Sequence, residues 1–347
     1  MSSEPSPSGS LVPREGAFSL LGSALGPFAG LMLVLCVFWG ADVVKSRMQD
    51  KTPRFLTVDS GRTVLMNASA VGTAALGMTI IIIAGGIDLS AGTAIALSAT
   101  VAAWCFRAGY NPAVGVLAAL LVGCFTGCVN GSLVGLLRVV PFIVTLGTMT
   151  LFRGVGRILS DGTPIRAHAK VPVWLLTLQE PEPRKGWEWL MVSPGVWVML
   201  VLAVLTWALL KYTVFGRHAF AIGSNEATAR LCGINVPLTR TLVYTIAGFF
   251  IGVAGLFQFV VLGGEGDPTA GTGKELEIIA AVVIGGGSLS GGRGSVWGTL
   301  SGAAIMAVIR HGCVILGVPD QYQEILIGVI IVAAVTLDRI RQQRLGE

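Results

Sequence analysis

From Ser224 to Gly233 the chain reads Ser-Asn-Glu-Ala-Thr-Ala-Arg-Leu-Cys-Gly, a short polar helix in a sequence that is otherwise nearly all apolar. Ser224 is placed to cap the first turn, Glu226 sits where the positive helix end favours an acid, and Gly233 suits a left-handed stop. Glu226 and Arg230 are four apart and can pair on the exposed face. The chemistry this supports is docking, because a transporter worked by a separate motor needs such a handle. A chain that only had to sit in lipid does not.

Other ionisable residues lie in or beside long apolar runs. Gly85-Gly86 can end one helix, and Asp88 or Ser90 can then cap the next. The competing reading of Asp88 is functional, since a buried acid near the membrane is a candidate site by default. Arg153, Arg157, Arg310 and Glu324 are also charges close to hydrocarbon. At a helix centre each costs about 2.5–3.5 kcal/mol on insertion scales, so each should face water, a cavity or a partner. Snorkelling accounts for Arg157 and Glu324. Arg153 and Arg310 are the better candidates for a solute pathway.

Enzymatic signatures are absent. Gly271-Thr272-Gly273-Lys274-Glu275 has the look of a phosphate loop, but position 268 is Pro and Glu275 stands where a magnesium-holding Ser or Thr would be. No Gly-x-Ser-x-Gly elbow and no His-Glu-x-x-His helix occurs. His168, His218 and His311 are isolated and read as structural. The six cysteines (Cys36, Cys105, Cys124, Cys128, Cys232 and Cys313) have neither metal-ligand nor disulfide-framework spacing. No catalytic residue, metal or cofactor is expected. Work driven by ATP would therefore need a partner that binds the nucleotide.

These residues must be positioned by membrane helices. Charged residues make up 12% and hydrophobic residues 53% of the 347, with a mean hydropathy of +0.76. Soluble domains carry about 25% charge, so the chain belongs to the membrane class. Uncharged stretches at 16–41, 63–87, 89–106, 108–137, 189–210 and 241–264 each reach or approach the ~20 residues that a spanning helix needs. Their continuity excludes a β-barrel, whose strands alternate. The net charge of +5 is scattered and forms no basic helix, so nucleic acid is not a partner.

The expected fold is all-α, a polytopic bundle of about ten spans near 24–43, 63–85, 89–107, 112–137, 140–159, 194–212, 239–262, 275–291, 294–316 and 322–338. Residues 1–22 are Ser/Pro/Gly-rich towards their start and are read as a disordered cytoplasmic N-terminus. The permease domain is 23–340, and 341–347 is a cytoplasmic tail. Lys and Arg are as frequent in one set of loops as in the other. Counting back from Arg339, Arg341 and Arg344 puts both termini and the 213–238 loop inside. Residues 160–193 then form the largest outside loop, with Trp187 and Trp189 as interface anchors.

Glycine recurs at every fourth position in Gly123, Gly127, Gly131 and Gly135, and again in Gly294, Gly298 and Gly302. Such stripes let helix backbones approach closely, either as static packing in one subunit or as a sliding or dimer surface. Gly86–Gly92 and Gly286–Gly292 share the pattern Gly-x-x-Leu-Ser-x-Gly, each after an apolar run. Paired glycine-rich interruptions in two transporter halves point to the substrate route. Asp88, Ser90, Arg153, Gly286 and Gly287 are placed near it.

From about residue 55 to 340 the chain resembles the membrane permease of ribose-type ABC sugar importers. The resemblance lies in Gly77–Ile80 through Gly85–Gly92, Pro141–Gly147 with Arg153-Gly154, Gly223–Leu231 with Gly233–Val236, Pro268–Gly271, and Ala280–Gly286 with Leu289 and Gly291-Gly292. It implies a bacterial inner-membrane subunit that works by alternating access with a second permease copy, a cytoplasmic ATP-binding subunit and an extracytoplasmic sugar-binding protein, surrounded by membrane lipid. The ATPase contact falls on Gly223, Ser224, Asn225, Glu226, Ala227, Arg230 and Gly233. The acidic insertion 263–267 and the extended 178–190 loop depart from the family pattern on the outer side. The alternative reading, an ion-coupled secondary transporter or channel, would want a buried acid cluster at mid-span, where the sequence offers only Asp88.

Overall fold

The computed structural model describes residues 17–182, 186 and 188–345. Most of the N-terminal tail, Trp187 and the last two residues lie outside the described residues. The described residues form α1 (Ala17–Met48), α2 (Val58–Ile83), α3 (Ala91–Ala108), α4 (Pro112–Leu136), α5 (Pro141–Leu159), α6 (Val173–Leu176) and α7 (Pro194–Tyr212). There follow α8 (Val214–Ser224), α9 (Glu226–Leu231), α10 (Val236–Val261), α11 (Lys274–Ile284), α12 (Val296–Ile315) and α13 (Asp320–Leu345). The helix α1 starts inside the segment expected to be disordered.

Local chemistry sets these boundaries. Proline opens α4, α5 and α7 at the first turn, where its missing N–H costs nothing. Asn111 caps α4 by accepting from Ala113 N at 2.9 Å. Gly109, at φ +83°, ends α3 in the left-handed conformation that a Cβ disfavours. Lipid leaves no alternative to helix between these marks, since unpaired backbone groups there cost several kcal/mol each.

Eight helices among the described residues are long and apolar enough to cross a membrane: α2, α3, α4, α5, α7, α10, α12 and the Gly26–Met48 part of α1. The expected span 275–291 is realised differently. Gly286 takes φ +90° and stops the helix, so α11 keeps 11 residues. At 1.5 Å per residue it reaches ~17 Å, about half the hydrocarbon thickness. The tenth expected span, 322–338, falls within α13.

Glycine decides how closely the spans pack. Gly123, Gly127, Gly131 and Gly135 of α4 face α10. A Cβ on Gly127 would overlap the Tyr244 carbonyl oxygen, and one on Gly131 would stand 2.7 Å from Thr241 Cα. The second stripe serves α11: Gly298 lies on Gly285, and Gly302 on the Ala281 carbonyl, while Gly294 meets the Ile83 side chain. Within this frame α2 is the central helix, with Leu76 and Ile80–Ile83 buried among Tyr244, Ala247, Ala281 and Val282. Leu117, Leu121 and Phe125 of α4, and Ile143, Leu151 and Ile158 of α5, remain exposed on the outside of the bundle. Overpacking at such contacts costs about 1–3 kcal/mol. Gly127→Ala should therefore lower the melting temperature of the detergent-purified chain, and an unchanged transition would show α4 and α10 to be looser than described.

The loops opposite α8–α9 are tied together. β1 (Ile165–Arg166) pairs antiparallel with β2 (Glu265–Gly266), Ile165 opposite Gly266. Arg166 Nε donates to Glu265 Oε1 at 3.2 Å, which gives the acidic insertion a partner inside this chain. Ile165, Val171 and Leu175 cover Phe106 and Phe259, whose rings stack 5.4 Å apart.

Candidate functional site

The polar segment is two short helices, not one. α8 is capped by Thr213, whose side chain accepts from Gly216 N at 3.2 Å, and runs through Ser224. Ser224 is thus its last residue, and the cap of α9 is Asn225, which accepts from Thr228 N at 3.0 Å. Gly233, at φ +83°, ends α9: its N–H donates to Arg230 O, and Ile234 N–H to Ala229 O, both at 3.1 Å. Ile222, Ala229 and Val236 form a small core that fixes α9 to α8 and α10.

Glu226 is held from two sides. Oε1 accepts from Arg230 at 2.6 Å, as the four-residue spacing predicts, and Oε2 accepts from Arg240 of α10 at 2.6 Å. Exposed pairs each contribute under ~1 kcal/mol, so the clamp sets orientation more than stability. Arg240 was not foreseen, because a partner 14 residues away leaves no periodic signal. Leu231, 89% exposed at the tip of α9, is an apolar knob beside these charges. Exposed aliphatic groups next to a charged rim are what a partner pocket takes up.

The root of this projection sits on both glycine turns at once. A Cβ on Gly223 would overlap the Ile83 carbonyl oxygen and stand 2.6 Å from Gly292 N. A Cβ on Gly291 would lie 2.6 Å from Gly223 O and 2.9 Å from Gly85 Cα. Gly292 N–H also donates to Ile83 O at 2.9 Å. Gly85, Gly286, Gly291 and Gly292 all have positive φ, which glycine adopts without strain. Thus Gly223-Ser224 packs on Ile83 and Gly85 at the end of α2 and on Gly291-Gly292 of the second glycine-rich turn, and the residues just before the first repeated pattern meet the end of the second at one junction.

Beyond the junction the first turn rises into the bundle. Asp88 is 1% exposed, and its Oδ1 accepts from Ser90 N at 2.8 Å, Ser90 Oγ at 2.6 Å and Asn130 Nδ2 at 3.3 Å. Asn130 Nδ2 also donates to Ser90 Oγ at 2.8 Å, and its Oδ1 accepts from Thr148 Oγ1 at 2.7 Å. Tyr244 OH donates to Ile87 O at 3.1 Å. The network joins the α3 entry to α4, α5 and α10. Arg153 of α5 stands outside it, with a buried Nε that has no hydrogen-bond partner among the described residues. Gly286 is exposed and Gly287 buried in the second turn. No group of three or more His, Cys, Asp or Glu among the described residues could hold a metal ion.

Residues 62–335 match the family model described as branched-chain amino acid transport system / permease component. The chain is 39% identical over 295 residues to the ribose import permease protein RbsC of Escherichia coli K12, covering 84% of this chain and 89% of that protein. It is 37% identical over 316 residues to the protein of the same name in Bacillus subtilis, covering 91% and 92%. The fructose import permease protein FrcC of Rhizobium meliloti is 35% identical over 290 residues, covering 82% and 79%. No solved structure matches.

Proposed function

The chain belongs to the family of branched-chain amino acid transport system permease components, and from that premise we propose that it is the membrane permease subunit of an ABC importer for a monosaccharide. The solute class follows the ribose and fructose permeases, which align across most of the chain. The observation that carries the mechanism is the glycine junction, where a clamped, partner-facing projection meets both halves of the bundle by backbone contact. A cytoplasmic ATP-binding subunit grips α9 through Glu226, Ala227, Arg230 and Leu231. Closure of that subunit on ATP tilts α8–α9 about Gly223, Ser224 and Asn225, with Gly233 as its far stop. The tilt shifts the α2–α3 and α11–α12 turns together, and the bundle rocks between outward- and inward-facing packing.

Both termini are then cytoplasmic, a second copy of the chain completes the passage, and a sugar-binding protein delivers solute to the tied loops on the opposite side. Asp88 and Ser90 brace the wall of the passage from behind, while Arg153, Gly286 and Gly287 border it. The unpartnered Nε of Arg153 supports its place there.

Replacing residues 226–231 with a Gly-Ser linker should abolish co-purification of the partner ATPase while membrane insertion persists. Solute flux through the purified chain alone, in vesicles lacking any ATPase, would overturn the proposal in favour of a secondary transporter.

A further inference from the structure

We propose that the strap joining α1 to α2 is a binding site for an anionic phospholipid, with an acyl chain in the groove beside the strap and the phosphate on its basic residues. The strap, 49–57, lies at the end of the bundle opposite α8–α9, because α2 leaves it at Val58 and ends at Ile83 against Gly223. Positive charge is concentrated there. Lys45, Arg47, Lys51 and Arg54 fall within ten residues, and Arg62 follows early in α2. Two of the acids in this stretch are engaged. Asp42, 4% exposed, is spent on the strap backbone, accepting from Arg54 N at 2.7 Å and Phe55 N at 2.9 Å. Asp59 pairs with Arg62 at 3.7 Å. Exposed Asp50 is left against exposed Arg47, Lys51 and Arg54, and none of these three is in an ion pair among the described residues. With α9 facing the cytoplasm, as proposed above, the strap is outside, where short loops are ordinarily poor in Lys and Arg. A basic cluster kept there needs an anionic counterpart.

The groove is the second, independent observation. Leu35 of α1, Phe55 and Leu56 of the strap, and Val58, Gly61 and Val64 of α2 line a space of about 300 Å³ that begins one residue past Arg54. Leu56 and Val58 are largely exposed, and both flanking helices are long and apolar enough to cross a membrane. The space takes part of an acyl chain and is too small for a helix ~10 Å across. Its upper edge is held in place. Phe55, 4% exposed, stacks on Phe38 with ring centroids 6.1 Å apart. Ser60 Oγ donates to Arg54 O at 3.0 Å and lies 2.8 Å from His311 Nε2. The backbone carrying Arg54 is therefore fixed beside an apolar slot. A phosphodiester attached to hydrocarbon chains matches that pairing of charge and slot, and clusters of Lys and Arg flanking a span attract such headgroups. An acidic face on a partner protein would answer the charge but leave the slot empty.

The test melts the detergent-purified full chain with added dioleoyl phosphatidylglycerol or dioleoyl phosphatidylcholine, which carry the same chains. Phosphatidylglycerol should raise the melting temperature by about 3 °C more than phosphatidylcholine does. The double variant Lys51→Gln/Arg54→Gln should erase that difference. Gly61→Leu should erase it as well by filling the slot, without lowering the melting temperature in detergent alone, since a Cβ at Gly61 meets nothing within 4 Å. Gly147→Leu, equally open but on α5, should keep the difference. Equal melting in the two lipids, or a difference that survives either strap variant, overturns the site. The same rise with glycerol 3-phosphate would show a phosphate site in which the slot has no part, and overturns it too. So does a rise that only a sugar-binding protein produces, which would assign the basic cluster to that partner. No arm measures transport, so a failed site leaves the importer reading intact.

Discussion

Gly223→Ala is expected to reduce sugar uptake to background while the partner ATPase still co-purifies. The added methyl meets no flexible side chain that could swing aside. It meets the Ile83 carbonyl oxygen and Gly292 N, two backbone atoms already joined by a 2.9 Å hydrogen bond. Relief requires moving α8 away from the two turns, or parting the turns from each other. Either shift costs on the order of 1–3 kcal/mol and breaks the contact through which tilt would pass. The proposed docking residues of α9 are untouched, because neither Glu226, held by Arg230 and Arg240, nor the exposed Leu231 is among the atoms that the added methyl would meet. Gly154→Ala is the matched control, since a Cβ there meets nothing within 4 Å. Measured side by side in vesicles, Gly154→Ala should transport as the wild type does. Normal uptake by Gly223→Ala would mean that the junction is too loose to transmit motion.

The spans were legible in the sequence because lipid allows a single backbone solution, and an uncharged run of sufficient length announces it. The eighth expected span went wrong for a definite reason. Hydropathy treats Gly285–Gly287 as permissive, whereas Gly286 turns to φ +90° and ends α11 at half length. The polar segment was legible as a short helix with a Glu226–Arg230 pair, but its cap differs. Ser224 and Asn225 are both good caps, and only the presence of α8, absent from the sequence reading, makes Ser224 a last residue and Asn225 the cap. Convergence of the two Gly-x-x-Leu-Ser-x-Gly turns was half legible. The repeat showed that they correspond, and the fold shows that Gly223 sits against Ile83 and Gly85, just before the first, and against Gly291-Gly292 of the second. Asn130 gave one faint signal, an amide in an otherwise uncharged apolar run, and its partners lie 40 and 42 residues away.

That amide leads to the second large effect. Asp88→Ala should destabilise the chain by several kcal/mol and abolish uptake, whereas Asp88→Asn should retain most of the fold. In the alanine variant three donors lose their acceptor together: Ser90 N, Ser90 Oγ and one proton of Asn130 Nδ2. Each buried donor left unmet costs about 1–3 kcal/mol, and no water reaches a side chain this enclosed to replace the oxygen. Asn130 Nδ2 keeps its 2.8 Å bond to Ser90 Oγ, which softens the loss without cancelling it. Asparagine at 88 keeps an oxygen where Oδ1 now accepts, so the α3 entry stays tied to α4, and through Thr148 to α5. Thermal melting of the detergent-purified variants separates the two cases. Equal destabilisation by Asp88→Ala and Asp88→Asn would mean that the negative charge itself matters, and the hydrogen-bond account of the network would fail. If Asp88→Ala instead melts with the wild type, the carboxylate carries no structural load, and its place in the bundle must be explained by the solute alone.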